Sequence, residues 1–159
     1  FEFASETIEL ATGNAFAYWL AWATMLQGWA IARKGQPETG LETMLKGLRA
    51  YEETGAQFFR PHALTLIADV HRSTGQYREG LAFVDEANSC AERGKIRFYD
   101  AEILRVKGDL FAGMGEADDA RRCYRRARAV AAAQGAGSLR KRVEASLKAL
   151  PDPTPGGHP

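Results

Sequence analysis

The stretches TMLQGWAIARKGQPETGLETMLKG (24–47), LTLIADVHRSTGQYREGLAFVDEA (64–87) and LRVKGDLFAGMGEADDARRCYRRA (104–127) align without a gap, each starting 40 residues after the last. Small residues carry the match. Gly28, Ala68 and Gly108 share one column, and Gly35, Gly75 and Gly115 a second. Gly40, Gly80 and Ala120 form a third, and Gly47, Ala87 and Ala127 a fourth. The second column follows an apolar helical pattern and stands two residues before the next one begins. A glycine just past a helix end takes the left-handed conformation at little cost. The other columns fall in mid-helix, where a glycine costs about 1 kcal/mol relative to alanine. Repeating that cost in register implies close approach of two helix backbones.

Working outward, the apolar periodicity predicts helices at about 15–34, 37–54, 58–74, 77–93, 97–114 and 116–134. Pro37 fits a first helical turn, whereas Arg60-Pro61 delays the start of the third helix. Residues 137–150 form one more amphipathic helix, with Val143, Leu147 and Leu150 on one face and Arg140, Lys141, Arg142 and Lys148 on the other. A stack of repeats needs such an end helix to cover its last core. Residues 1–13 read as a linker or the end of a preceding helix, because Ile8 to Gly13 occupies the place of Arg49 to Gly55 one repeat later. The domain expected is therefore 14–150, with repeats at about 14–54, 55–94 and 95–135, a capping helix at 137–150 and a disordered tail at 151–159.

The four small-residue columns resemble the tetratricopeptide repeat over roughly residues 14–135. That family has a small residue eight positions into its first helix, glycine at the turn and alanine at two sites in its second helix. The resemblance implies an all-α fold, a right-handed α-solenoid of antiparallel helical hairpins. Two features depart from the family. The period is 40 rather than 34, and Thr24, Leu64 and Leu104 stand where the family has a first-helix Trp. First helices of the family line a concave protein-binding groove. Carried across by register, those positions are Trp22, Met25, Trp29 and Arg33 in repeat one. In repeat two they are His62, Thr65, Asp69 and Arg72, and in repeat three Glu102, Arg105 and Asp109. No Asn occurs among them, so the family's carboxylate clamp is not expected.

Two readings of these positions stay open. Trp22, Met25 and Trp29 share a helix face at i, i+3, i+7, which suits either a partner's anchor or packing against a further repeat. The mixed charges of His62, Asp69, Arg72, Glu102, Arg105 and Asp109 suit either a polar peptide or cross-helix ion pairing.

Global properties narrow the function classes. A net charge of +1 supplies no strong field toward nucleic acid or membrane, although residues 116–150 hold nine Lys/Arg against four Asp/Glu. Arg121, Arg125 and Arg128 share one helix face with only Tyr124 as an interleaved aromatic, so nucleic acid is an unfavoured partner. The uncharged run 15–32 is about as long as a membrane span, but Thr24, Gln27 and Gly28 interrupt it and it lies in register with two charged repeats. A packed helix in a cytoplasmic protein is the expectation. Cys90 and Cys123 form no CxxC pair and have no His at metal-ligand spacing, so reduced thiols and no metal or cofactor are expected. His71 faces the core as a satisfied histidine. No GxxxxGK[ST], HExxH or GxSxG motif occurs, and Glu52-Glu53 and Asp118-Asp119 diverge around their helices, so no enzyme activity is expected.

The segments WLAWATMLQGWAIARKGQPETGLETMLKGLRAYEETG (19–55) and RFYDAEILRVKGDLF (97–111) are similar to the C-terminal repeat regions of large bacterial signalling proteins. These join a nucleotide cyclase or transcription-regulator module, an ATPase module and a tail of long tetratricopeptide repeats. The resemblance implies an interaction scaffold whose partner is a protein, a peptide or an upstream domain of the same polypeptide. A homo-oligomerisation module is the alternative.

Overall fold

The computed structural model describes the backbone of residues 2–151 and the side chains of residues 16–151. Among the described residues seven α-helices pack in a row: α1 (Glu2–Arg33), α2 (Pro37–Glu53), α3 (Arg60–Ser73), α4 (Tyr77–Gly94), α5 (Asp100–Gly113), α6 (Ala117–Ala133) and α7 (Gly137–Ala149). A 3-10 turn at Arg97–Tyr99 precedes α5. No strand occurs among the described residues.

The helix ends follow a period of half the sequence repeat. Positive φ occurs at Gly35 (90°), Gly55 (76°), Gly75 (76°), Lys95 (53°), Gly115 (81°) and Gly135 (68°), one such residue every 20 positions. Each reverses the chain, so turns within hairpins and turns between hairpins use the same device. Lys95 is the one non-glycine residue in the set, and its Cβ makes that conformation costly.

Within each hairpin the small-residue columns set how closely the helices meet. A Cβ on Gly28 would stand 2.6 Å from the Met44 backbone nitrogen, and one on Gly40 2.7 Å from the Gly28 carbonyl oxygen. A Cβ on Gly47 would stand 2.7 Å from the Met25 nitrogen. In the first hairpin, therefore, three glycines let two backbones touch. The later hairpins fill the same columns differently. Ala68, Ala87, Ala120 and Ala127 are fully buried, and the Tyr124 ring lies over Gly108. Met25, Met44, Leu64, Ile67, Val84, Ile103, Val106 and Leu110 make one core through the row. Each such side chain contributes about 1.5–3 kcal/mol on burial. Tyr124 of α6 and Val143 of α7 centre a second cluster, against which Leu139 and Leu147 of α7 and Leu150 just beyond it pack. The expected closing helix is in place.

Two expectations are corrected. The break at Gly13 is absent, and the backbone is one helix from Glu2 to Arg33. Gly13 is followed by Asn14 and Ala15 rather than by a turn-and-proline signal, and a helix crosses a lone glycine for about 1 kcal/mol. The fifth helix begins at Asp100, because residues 97–99 tighten into the 3-10 turn. The third begins at Arg60, the delay expected from Arg60-Pro61, with Pro61 in its first turn and the Phe59 N–H donating to the Tyr51 hydroxyl at 3.0 Å. Residues 152–159, most of the expected tail, lie outside the described residues. No helix among the described residues is long and apolar enough to cross a membrane.

Sequential helices pack as neighbours, and the odd-numbered helices also touch one another: α1 with α3, α3 with α5, and α5 with α7. The even-numbered helices make no comparable contact among the described residues. The row therefore curves, with the odd-numbered helices on its inner side.

Candidate functional site

The inner side holds a groove of about 1130 Å³ that runs from α1 to α7. Nine of the eleven positions expected from register line it: Trp22, Trp29, Arg33, His62, Thr65, Asp69, Arg72, Glu102 and Arg105. Met25 and Asp109 do not. Met25 is fully buried against the α2 backbone at Gly47, because a helix with glycines on its facing partner draws the intervening side chain into the seam. Asp109 is turned toward α6. It accepts from the Tyr124 hydroxyl at 2.6 Å and opens onto a smaller depression of about 340 Å³ beside Tyr77. Thr65 reaches the groove wall, but its hydroxyl donates to the Pro61 carbonyl at 2.7 Å and only 2% of the residue is exposed. It has little to offer a ligand.

One wall is an aromatic ladder. Trp22 stacks on Phe59 at 4.7 Å between ring centroids, and His62 stacks on Tyr99 at 5.0 Å. Trp22 and His62 lie 5.8 Å apart and join the two pairs. Offset stacks of this kind add about 0.5–1.5 kcal/mol each beyond area burial, which makes the wall rigid. Leu26, Leu66 and Phe98 extend the apolar surface, and Phe98 is 75% exposed. The Trp29 Nε1 and His62 Nδ1 atoms are buried with no hydrogen-bond partner among the described residues. Desolvation holds the His62 pKa below its ordinary value, and the opposing charge of Glu102 only partly offsets it, so the ring is neutral.

The floor is polar and paired. Arg105 donates to Glu102 at 2.7 and 2.9 Å and to Asp109 at 2.5 Å. Burial alone would lower its pKa, but those carboxylates hold it above the usual arginine value. Arg72 pairs with Asp69 at 2.8 Å. The rim cations are less engaged. Arg33 lies over the Trp29 ring at 5.8 Å, Arg97 is paired only at its exposed end with Asp100, and Arg142 reaches Glu102 at 3.3 Å. Five arginines against Asp69 and Glu102 give the groove a net positive lining. The mixed charges expected from sequence thus do both things: the floor is ion-paired structure, and the rim has cations to spare.

Several groove residues escaped the register argument, yet their signal is in the same 40-residue period. Trp19, Phe59, Tyr99 and Leu139 share a column, as do Leu26, Leu66 and Val106. Trp22, His62, Glu102 and Arg142 share another, which makes α7 a fourth first helix rather than only a lid. Phe59 and Tyr99 of the first column sit at the entry to α3 and α5, whereas Trp19 lies within α1 and Leu139 near the start of α7.

Elsewhere the side chains serve the fold. Arg60 bridges Glu52 of α2 at 2.6 Å and Glu86 of α4 at 2.5 Å, and also contacts Cys90. His71 bonds Gln76 at 2.7 Å and stacks on Phe83, the satisfied role expected of it. Arg121 donates to the Pro151 carbonyl at 2.6 Å, while Arg125 and Arg128 are exposed. Cys90 and Cys123 are both free. Among the described residues no cluster of three His, Cys, Asp or Glu could hold a metal ion. In comparisons with known proteins, no family model and no curated protein matches this sequence.

Proposed function

We propose that the chain is a protein-interaction scaffold of tetratricopeptide type, a right-handed solenoid whose inner groove holds a segment of a partner protein. The observation that carries this reading is the groove itself. It joins a rigid apolar wall (Trp22, Phe59, Leu66, Phe98) to a rim of arginines (Arg33, Arg97, Arg142) that exceed their local carboxylates. Such a surface fits a peptide with an aromatic or aliphatic anchor followed by Asp or Glu. Buried aromatic and arginine anchors supply most of the binding energy in interfaces of this kind. The similarity of segments 19–55 and 97–111 to bacterial repeat tails supports a place in a larger signalling regulator, linked to a cyclase or an ATPase module.

The test is selection of peptides from a displayed random library on the intact chain, followed by titration of the best binder using Trp fluorescence. The selected sequences should be acidic and carry one large apolar residue. Phe98→Ala and Arg142→Glu, both at exposed positions, should each weaken that binder about tenfold, in line with a contribution of about 1.4 kcal/mol. Arg125→Glu on the outer face should change nothing. Selected sequences lacking both features, or binders indifferent to Phe98 and Arg142, reject the groove as the site.

A further inference from the structure

The outer side of α1 carries a second surface that meets the groove only at Leu26. Phe16, Trp19, Leu20 and Leu26 are 72, 59, 57 and 40% exposed, although all four are large and apolar. Ala23, Gln27 and Ala30 complete the exposed stripe, and no charged residue lies on α1 between Phe16 and Ile31. The spacing 16, 19/20, 23, 26/27, 30 is the seven-residue seam of a helix that packs against another helix. Single exposed apolar residues need no explanation, but a continuous stripe marks a contact.

The order of sizes along the stripe selects the occupant. The two aromatic residues lie in its first half and Gln27 and Ala30 in its second, with Leu20 and Leu26 on either side of Ala23 at the centre. When two copies are laid antiparallel about Ala23, each position of the stripe meets another position of the stripe. Phe16 of one copy stands over Ala30 of the other, Trp19 over Gln27, Leu20 over Leu26, and Ala23 over Ala23. Bulk meets a gap at both ends, and the alanine at the axis lets the backbones approach. A parallel pair would set Phe16 on Phe16 and Trp19 on Trp19 and leave a void beside Ala30. The uncharged seam carries no like-charge penalty on self-pairing, and gives a charged partner nothing to recognise. The four large side chains expose on the order of 500 Å² per copy, or roughly 1,000 Å² buried in a pair. That is the lower bound for a specific contact and fits a dimer that dissociates in the micromolar range.

We infer that α1 is a self-association surface, on which a second copy of this chain packs as an antiparallel two-fold pair centred on Ala23. The contact is isologous, so it closes at two copies and does not propagate into fibres. It leaves both grooves open on its flanks, sharing only Leu26 with them.

Sedimentation velocity of the intact chain across the micromolar range should show a concentration-dependent dimer. Leu20→Glu and Phe16→Glu, both at exposed sites, should be monomeric throughout with unchanged helicity and unchanged affinity for a groove peptide. The axis is tested by oxidation in a Cys123→Ser background. Ala23→Cys should cross-link to itself, because a disulfide needs Cα atoms within about 7 Å. Phe16→Cys should not self-link, but should link to Ala30→Cys when the two are mixed. A monomer at every concentration overturns the inference. Self-linking of Phe16→Cys without Ala23→Cys overturns the two-fold geometry.

Discussion

Replacing Gly28 with Ala sets two effects of known size against each other. In an isolated helix the change is favourable by about 1 kcal/mol, because alanine has the highest helix propensity and glycine nearly the lowest. Here the new Cβ would stand 2.6 Å from the Met44 nitrogen, 2.7 Å from the Gly40 carbonyl oxygen and 2.7 Å from the Met44 Cγ. Two of those three atoms are backbone and cannot rotate away. Restoring an ordinary 3.4 Å contact requires α1 and α2 to separate by roughly 0.8 Å at that point. A gap of that order forfeits about a quarter to a half of the dispersion energy of each atom pair across the seam. Gly40 and Gly47 lie on the same seam, so the loss is shared along the hairpin rather than confined to one contact. Overpacking of this kind costs about 1–3 kcal/mol and outweighs the propensity gain. Urea unfolding followed by far-ultraviolet circular dichroism should therefore give a lower midpoint at unchanged slope. The control is Gly137→Ala at the start of α7, where a Cβ meets nothing within 4 Å and the variant should be as stable as the parent or slightly more so. If Gly28→Ala is as stable as Gly137→Ala, the backbone contact does not hold the first hairpin and the reasoning fails.

Three other outcomes follow from individual residues. Lys95→Gly should stabilise the chain by about 1 kcal/mol in the same urea assay, since Lys95 is held at φ 53° where glycine pays no Cβ penalty. Arg105→Ala should destabilise by about 2–4 kcal/mol, because it leaves the largely buried Glu102 and Asp109 without their shared cation; the more conservative Arg105→Lys should recover part of the loss. His62 gives a pH signature. Its folded pKa lies below the unfolded value of 6.5, so the unfolded chain takes up the proton first. The stability it contributes is complete above the unfolded pKa and is lost as pH falls through 6.5 toward the folded pKa. Unfolding midpoints measured between neutral and mildly acidic pH should fall less for His62→Phe than for the parent, and equal slopes would place the ring in solvent.

The helices, their order and their number from residue 15 onward were legible in the sequence, and the reason is local. A turn glycine, an apolar stripe and a small residue at a fixed offset act within one or two turns of chain, and each leaves its mark at the place where it acts. The groove was partly legible for the same reason: a 40-residue register carries Trp22 onto His62 and Glu102, and all three do line it. It failed where side-chain direction depends on what stands opposite. Met25 and Trp29 look alike as apolar residues of α1. The glycine at position 47 of α2 draws Met25 into the core, whereas Trp29, too large for the seam, turns to the groove. Arg105 and Arg142 are both arginines on first helices, but Arg105 is locked by Glu102 and Asp109 of its own helix, whereas Arg142 meets Glu102 only across from α7, at 3.3 Å, and stays at the rim. The sequence by itself determined where the chain turns and which faces are apolar, because those are properties of neighbouring residues. Only the tertiary structure decided which side chains of the first helices come together in one groove, because that is settled by distances between residues far apart in the chain.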